Sequence, residues 1–338
     1  MIKQPHILVI RLSAMGDVAM TVPVIRSLVE QNDVRVTVVS RPFFEPFFKD
    51  IKNVDFFPVD LQNRHKGFFG LYRLFQDLKK LKVDYIADLH NVLRSKIVGV
   101  FFAFSGKKTV VLDKGRKEKK ALTRAENKVL KPLKPMHQRY AAVFEKLGFA
   151  VDLSKNNFVK NQKPSAEIQQ KKGEFFQKNI GIAPFAQYDT KTYPLDLMQQ
   201  VIDKLSENQE NKIFLFGGKT DLPSFKKLQN NHQNVVITTG KLSFEQELQL
   251  ISHLDVMLSM DSGNAHIAAM YGVKTIVLFG ATHPFLGFMP FGQPFENAIL
   301  PDLKKYPKLP TSVYGNKRVE GYQDVMRSIS PEVIISKI

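Results

Sequence analysis

The chain has 338 residues, of which 43% are hydrophobic, a formal net charge of +17 and no cysteine. That length exceeds what one hydrophobic core usually organises, so two domains are the starting expectation. The lack of cysteine excludes a disulfide framework, a thiolate metal site and a cysteine nucleophile, and it fits a reducing compartment such as the cytoplasm. There is no apolar run of about eighteen residues, and the opening MIKQPHILVIRLSAMGD leads directly into a strand-like segment. Neither a membrane span nor a signal peptide is expected.

The positive charge is concentrated early. Residues 1–160 hold 30 Lys and Arg against 15 Asp and Glu, and residues 107–146 hold thirteen basic against four acidic side chains. Such asymmetry marks a surface for an anionic partner, or else a solvated loop in a basic protein. Nucleic acid is one such partner, but no recognition motif is present and aromatics are not interleaved with the lysines.

In chain order, short apolar runs alternate with amphipathic segments. HILVIRL precedes VAMTVPVIRSLVE; VRVTVVS and VDFFPVD precede GFFGLYRLFQDLKKL; VDYIADL precedes LRSKIVGVFFAF; and KKTVVLD follows. This alternation predicts an α/β fold with parallel sheet and crossover helices. Residues 156–178 are polar and rich in Lys and Gln, and read as a linker with a surface helix. A second alternation then runs through NIGIAPF, KIFLFGG, NVVITTG, DVMLSMDSG and KTIVLFG, each followed by a helical or turn segment. The expected domains are therefore 1–160 and 161–318, two doubly wound, Rossmann-like sheets facing a cleft. The tail 319–338 is expected to end in a Ser-capped or Pro-started helix returning to the first domain. The spacing of Phe68, Phe69 and Tyr72 fits a core-facing helix better than a bilayer contact.

Ligands of such sheets lie beyond the carboxyl ends of the strands, so the post-strand loops carry the chemistry. In RLSAMGDVAM, Asp17 opens a helix, where its carboxylate serves equally as a helix cap or as a general base. A dinucleotide turn would need G-x-G-x-x-G, and only Gly16 is present. In APFAQYDTKTYPLD, Lys191 sits near a helix start, where it would clamp a diphosphate or be one loop lysine among many. In MDSGNAHIAAMYG, Asp261, Ser262 and Gly263 form a turn into a helix with His266 on its first turn, a shape suited to phosphate. The GGKT of LFGGKTD is not a P-loop, because Ile213 stands where that motif needs glycine. Asp221 beside it is a candidate ribose partner. No His, Asp and Glu spacing suggests a metal site, and no D-x-D pair is present.

Taken in order, ILVIRLSAMGDVAMTVPVIRSL, DTKTYP and DSGNAHIAAMYGVKTIVLFGATHP resemble the lipopolysaccharide heptosyltransferases, glycosyltransferase family nine, over essentially the full chain. The resemblance implies the GT-B fold, an ADP-heptose donor held by the second domain, and inverting transfer with no metal or other cofactor. It implies Asp17 as general base and Lys191, Asp261, Ser262, Gly263 and His266 at the donor. Asp221 would sit by the ribose and Leu242 over the adenine. It also implies an anionic, lipid-linked saccharide acceptor met at the cytoplasmic face of the inner membrane, for which Arg94, Lys96, Arg116, Lys117 and Lys120 are the candidate contacts. The nearest alternative is a GT-B enzyme with another nucleotide sugar, because a fold does not choose a sugar. A basic nucleic-acid-binding protein is the more distant one.

Overall fold

The computed structural model describes residues 4–156, 158 and 178–338. The linker and surface helix read over 156–178 fall, apart from residues 156, 158 and 178, outside the described residues. By contacts the chain forms two compact units, residues 1–115 with 134–157, and residues 116–133 with 158–338.

The first unit is built on a five-stranded sheet of order β3-β2-β1-β4-β5. Its strands are β1 (His6–Ile10), β2 (Arg35–Ser40), β3 (Val54–Pro58), β4 (Tyr85–Asp88) and β5 (Lys108–Val111), all paired in parallel. The unbroken apolar run of β1 suits a strand covered on both faces, and all five of its residues are buried. The α-helices described over residues 4–133 are α1 (Met15–Ala19), α2 (Thr21–Gln31), α3 (Gly67–Lys79), α4 (Leu93–Phe104) and, carrying most of the basic run, α5 (Arg116–Thr123). The first four belong to this unit, together with α6 (Met136–Leu147). Leu8, Ile10, Leu74, Leu78, Ile86 and Phe102 form part of the core beneath α3 and α4.

The second unit carries a six-stranded sheet of order β11-β10-β9-β6-β7-β8. The strands are β6 (Lys178–Ala183), β7 (Asn211–Leu215), β8 (Val235–Ile237), β9 (Val256–Met260), β10 (Lys274–Leu278) and the short β11 (Ala298–Ile299), again all parallel. Its helices are α7 (Leu195–Ser206), α8 (Leu222–Gln229), α9 (Phe244–Ile251), α10 (Gly263–Met270) and α11 (Pro331–Ile335). In both sheets the first strand is central, and the chain winds out to one side and then returns to the other. The strand order therefore reverses between β1 and β4 in one sheet and between β6 and β9 in the other, the crevice position at which such sheets bind ligands.

Three placements differ from the sequence reading. Residues 116–133 pack in the second unit: Leu122 and Leu133 join Leu286 in a small core, and the buried Lys119 lays its ammonium 4.0 Å from the centre of the Phe288 ring. The charge is accordingly shared, with 22 basic and 13 acidic residues in the first unit and 27 and 19 in the second. The last helix, read as returning to the first domain, packs on α7, with Ile334 fully buried in the second unit's core. Ser330 stands at its N-cap and Pro331 in its first turn. Phe68, Phe69 and Tyr72, read as core, are exposed, since α3 turns Leu71, Leu74, Phe75 and Leu78 inward instead.

Candidate functional site

Because every strand pair is parallel, all post-strand loops of a sheet emerge at one edge. In the first unit, β1 runs out into Arg11 and Leu12, and the backbone then turns into α1. Asp17 is the third residue of that helix. Its Oδ2 accepts the Ala14 N–H at 3.3 Å and lies 2.6 Å from the Arg11 guanidinium. Among the described residues no hydrogen bond is made to its Oδ1. The carboxylate thus caps α1, is held by a cation beneath it, and keeps one oxygen free on a side chain 30% exposed.

Arg11 is itself buried, which requires that its charge be compensated. It donates to the Leu89 carbonyl at 2.7 Å and stands 5.9 Å from the Tyr140 ring centre. The neighbouring His90 accepts the Leu12 N–H on Nδ1 at 3.4 Å. Burial, with Arg11 close by, pulls the imidazole down to about 3, so it is neutral near pH 7. Burial also pushes the Tyr140 phenol well up. Asp88, at the end of β4, is wholly buried and accepts from the His90 and Asn91 N–H groups and the Ser95 hydroxyl, which fixes the β4 loop. The switch point of this sheet therefore joins the loops of β1 and β4 around one carboxylate.

In the second unit Lys191 follows β6 in a single 3-10 turn (Asp189–Lys191). Its Nζ donates to the Asp261 carbonyl at 2.6 Å and lies 3.3 Å from the Asp261 carboxylate, which also accepts from the Thr282 hydroxyl at 2.7 Å. Asp261 and the N-cap Ser262 lead from β9 into α10 at Gly263. Lys191, Asp261, Ser262, Gly263 and the buried His266 are thus gathered at the second switch point, where the first-turn N–H groups of α10 and a lysine supply positive potential. Two glycines make room for this. A Cβ on Gly315, whose φ is +79°, would come within 2.6 Å of the Lys191 methylenes, and one on Gly280 within 2.3 Å of the Thr190 carbonyl oxygen.

The remaining candidates stand further along the same sheet. Asp221 follows β7 and binds the Gly218 N–H at 2.7 Å, tightening that turn. Leu242 follows β8, half-buried, before α9. On α9, burial lifts the Glu247 carboxyl to about 7. Tyr193 is core: its hydroxyl donates to the Ile329 carbonyl at 2.7 Å. Arg94 and Lys96 project from the first turn of α4 in the first unit, and Arg116, Lys117 and Lys120 from α5 in the second, all exposed. The five candidate acceptor contacts therefore do not form one cluster within a unit. Among the described residues no group of three His, Cys, Asp or Glu side chains could hold a metal ion.

The sequence profile of glycosyltransferase family 9 (heptosyltransferase) matches residues 71–313. The chain belongs to this family. A curated relative, the lipopolysaccharide core heptosyltransferase OpsX of Haemophilus influenzae, is 23% identical over 280 residues, covering 82% of this chain and 79% of its own. Among solved structures, a family 9 glycosyltransferase of Veillonella parvula superposes with a TM-score of 0.73 at 21% identity, covering 100% and 97% of the two chains. The ADP-heptose lipopolysaccharide heptosyltransferase II of E. coli follows with a TM-score of 0.68 at 18% identity, covering 98% and 97%. At these identities the structural likeness concerns the fold, which is GT-B: two Rossmann-like parallel-sheet units in one chain.

The sequence reading of this family 9 glycosyltransferase missed Arg11, His90, Thr282 and Gly315. Arg11 ends an apolar strand run and His90 ends another, positions that the carboxyl-edge rule marks as site positions. Thr282 and Gly315 carry no local signal, because their contacts to Asp261 and Lys191 are long-range. A cavity of about 530 Å³ also opens in the second unit, lined by Thr190, Thr192, Lys317, Tyr322 and the ion-paired Asp189 and Arg318.

Proposed function

We propose that this enzyme transfers a heptose from ADP-L-glycero-D-manno-heptose to the inner core of lipopolysaccharide, with inversion and without a metal ion, while associated peripherally with the cytoplasmic face of the inner membrane. The observation that carries this reading is the Lys191–Asp261 pair at the start of α10. A cation held rigidly beside free backbone N–H groups is what a departing diphosphate needs in place of a metal. The lipopolysaccharide acceptor is supported by the H. influenzae relative, and the ADP-heptose donor by the E. coli structure, each named for these molecules.

In this mechanism the donor diphosphate lies on Lys191 and the Ser262–Gly263 turn. His266, Asp221 and Leu242 serve the sugar, ribose and adenine ends of the donor. The acceptor hydroxyl oxygen bonds to the anomeric carbon as the bond from that carbon to the phosphate oxygen breaks. Its proton passes to Asp17 Oδ1, and ADP leaves with its new negative charge facing Lys191. One displacement gives inversion. Arg11 holds Asp17 in place and offsets its charge, while Arg94, Lys96, Arg116, Lys117 and Lys120 attract the anionic acceptor.

The test is a thermal-shift series with ADP, UDP, GDP and CMP, followed by mass spectrometry of products from the matching sugar nucleotides. ADP should stabilise, by about 2.7 kcal/mol at a hundred times its Kd, and a heptose-sized mass should appear on the acceptor, undiminished by EDTA. Stabilisation by UDP or GDP in place of ADP would point to the other GT-B reading.

A further inference from the structure

No helix among the described residues is long and apolar enough to cross a membrane. The first unit nevertheless exposes a concentrated apolar surface on two helices packed together. On α3, Phe68, Phe69 and Tyr72 are 61%, 77% and 47% exposed; on α4, Leu93, Val100 and Phe104 are 75%, 49% and 88% exposed. The half-buried Phe101 joins them, with its ring centre 6.0 Å from that of Phe68 and 5.5 Å from that of Tyr72.

This surface follows from the α4 sequence, LRSKIVGVFFAF. One stripe, Ser95, Val98, Gly99 and Phe102, faces the core. A second, at Leu93, Lys96, Ile97, Val100, Phe101 and Phe104, recurs at the spacing of one helix face, and no core remains to cover its outer part. Scattered single exposures would need no explanation, but contiguous large aromatic exposure marks an interaction site.

The surrounding charge identifies the partner. Residues 64–108 contain ten Lys and Arg against three Asp and Glu. Of those three, Asp88 is buried, Asp77 pairs with Arg64 and Lys80, and Asp84 accepts from the His6 backbone. Lys66, Arg73 and Lys96 are exposed on the same two helices or at their starts. Apolar side chains bordered by cations match an anionic bilayer surface, with rings entering the headgroup region and lysines meeting the phosphates. The same excess of one sign opposes docking of a second copy.

We propose that the α3–α4 face docks on anionic glycerophospholipid bilayers through Phe68, Phe69, Leu93 and Phe104, bringing the enzyme to a lipid-anchored substrate. The inference deepens the proposed function and rests on it for its purpose, though the binding itself does not depend on any sugar chemistry.

The experiment is co-sedimentation of the full chain with vesicles of phosphatidylethanolamine and phosphatidylglycerol, and with vesicles of phosphatidylcholine alone. Phe69→Asp and Phe104→Asp are compared with the unsubstituted chain after circular dichroism and light scattering establish their fold and oligomeric state. Both side chains point into solvent, so folding should be unchanged. Binding should require the anionic lipid and weaken with salt, and each variant should lower it about tenfold or more. In parallel, transfer to a delipidated acceptor should proceed equally with all three proteins. Failure of the unsubstituted chain to bind, or equal binding by the variants, overturns the proposal. So does a dimer that the variants dissociate without any vesicle binding. Vesicle binding without transfer by any of the proteins would refute the heptosyl reading and leave the docking surface intact.

Discussion

Asp17 does two jobs that a substitution can separate. Its Oδ2 holds the Ala14 N–H and Arg11, while among the described residues no hydrogen bond is made to Oδ1. Asparagine preserves the shape and can still accept the backbone N–H, so a purely structural carboxylate would tolerate Asp17→Asn in catalysis. If Asp17 is the base, the variant should lose at least about 10²-fold in kcat while its Kd for ADP stays within about twofold. Removing the negative partner of a buried guanidinium should also cost stability, about 1–3 kcal/mol given that Asp17 is partly exposed. Single-turnover rates beside ADP titrations and melting curves give all three numbers, and near-normal turnover would exclude the base role. Asp17 was legible in the sequence because a carboxylate followed a strand and a small-residue loop. Arg11 was not, because within HILVIRL it reads as the end of a strand, and only the tertiary structure places a guanidinium under the carboxylate.

At the level of elements, the meeting of the β6 and β9 loops is the feature on which the donor reading depends. Lys191→Ala removes the ammonium and should weaken ADP binding by about 10- to 100-fold, the range of a charge-assisted hydrogen bond or two, with kcat at saturating donor less affected. Gly315→Ala makes the same point without touching a charge. A methyl group there needs an L-residue at φ +79° and occupies the space of the Lys191 methylenes. It should displace the ammonium from Asp261 and lower ADP affinity by about tenfold; unchanged ADP affinity in calorimetry would show that Lys191 does not hold the diphosphate.

The alternation of apolar runs made ten of the eleven strands among the described residues legible, since each lies in a short run rich in apolar residues that leads into a turn or a helix. The two-residue β11 carries no such signal, and α5 and α6 were obscured by reading 107–146 as a charge cluster. In α5 the apolar positions are only Ala121 and Leu122, and it is the buried Lys119, with its ammonium over the Phe288 ring, that completes its buried side. The outward stripe of α4 was illegible for a different reason. Periodicity shows that two faces are apolar, but not which one the rest of the chain covers.

At the scale of the molecule, buried titrating groups give the two units different pH responses. In the first unit His90 is lowered to about 3 by burial and nearby Arg11, and His6 is lowered by burial and Arg35. His90 is neutral when folded near pH 6 and takes up a proton on unfolding, so its contribution to stability is present above pH 6.5 and is lost as the pH falls below it, and the lowered His6 acts in the same direction. Between pH 6.5 and 5, His90 alone removes about 1.5 kcal/mol. In the second unit His283, lowered to about 4 by burial and Lys128, pulls in the same direction. Glu247, raised to about 7, opposes it: it keeps its proton when folded and releases it on unfolding above its ordinary value, so its effect favours the folded state as the pH falls. One proton gained and one released nearly cancel over this window. If the units melt separately, the first should lose several degrees of Tm between pH 6.5 and 5 while the second changes little. His90→Asn should flatten the first transition, and Glu247→Gln should make the second as pH-sensitive as the first. Scanning calorimetry at a few pH values decides it, since a second transition that already falls steeply with acid would mean that the Glu247 carboxyl is ionised in the folded enzyme.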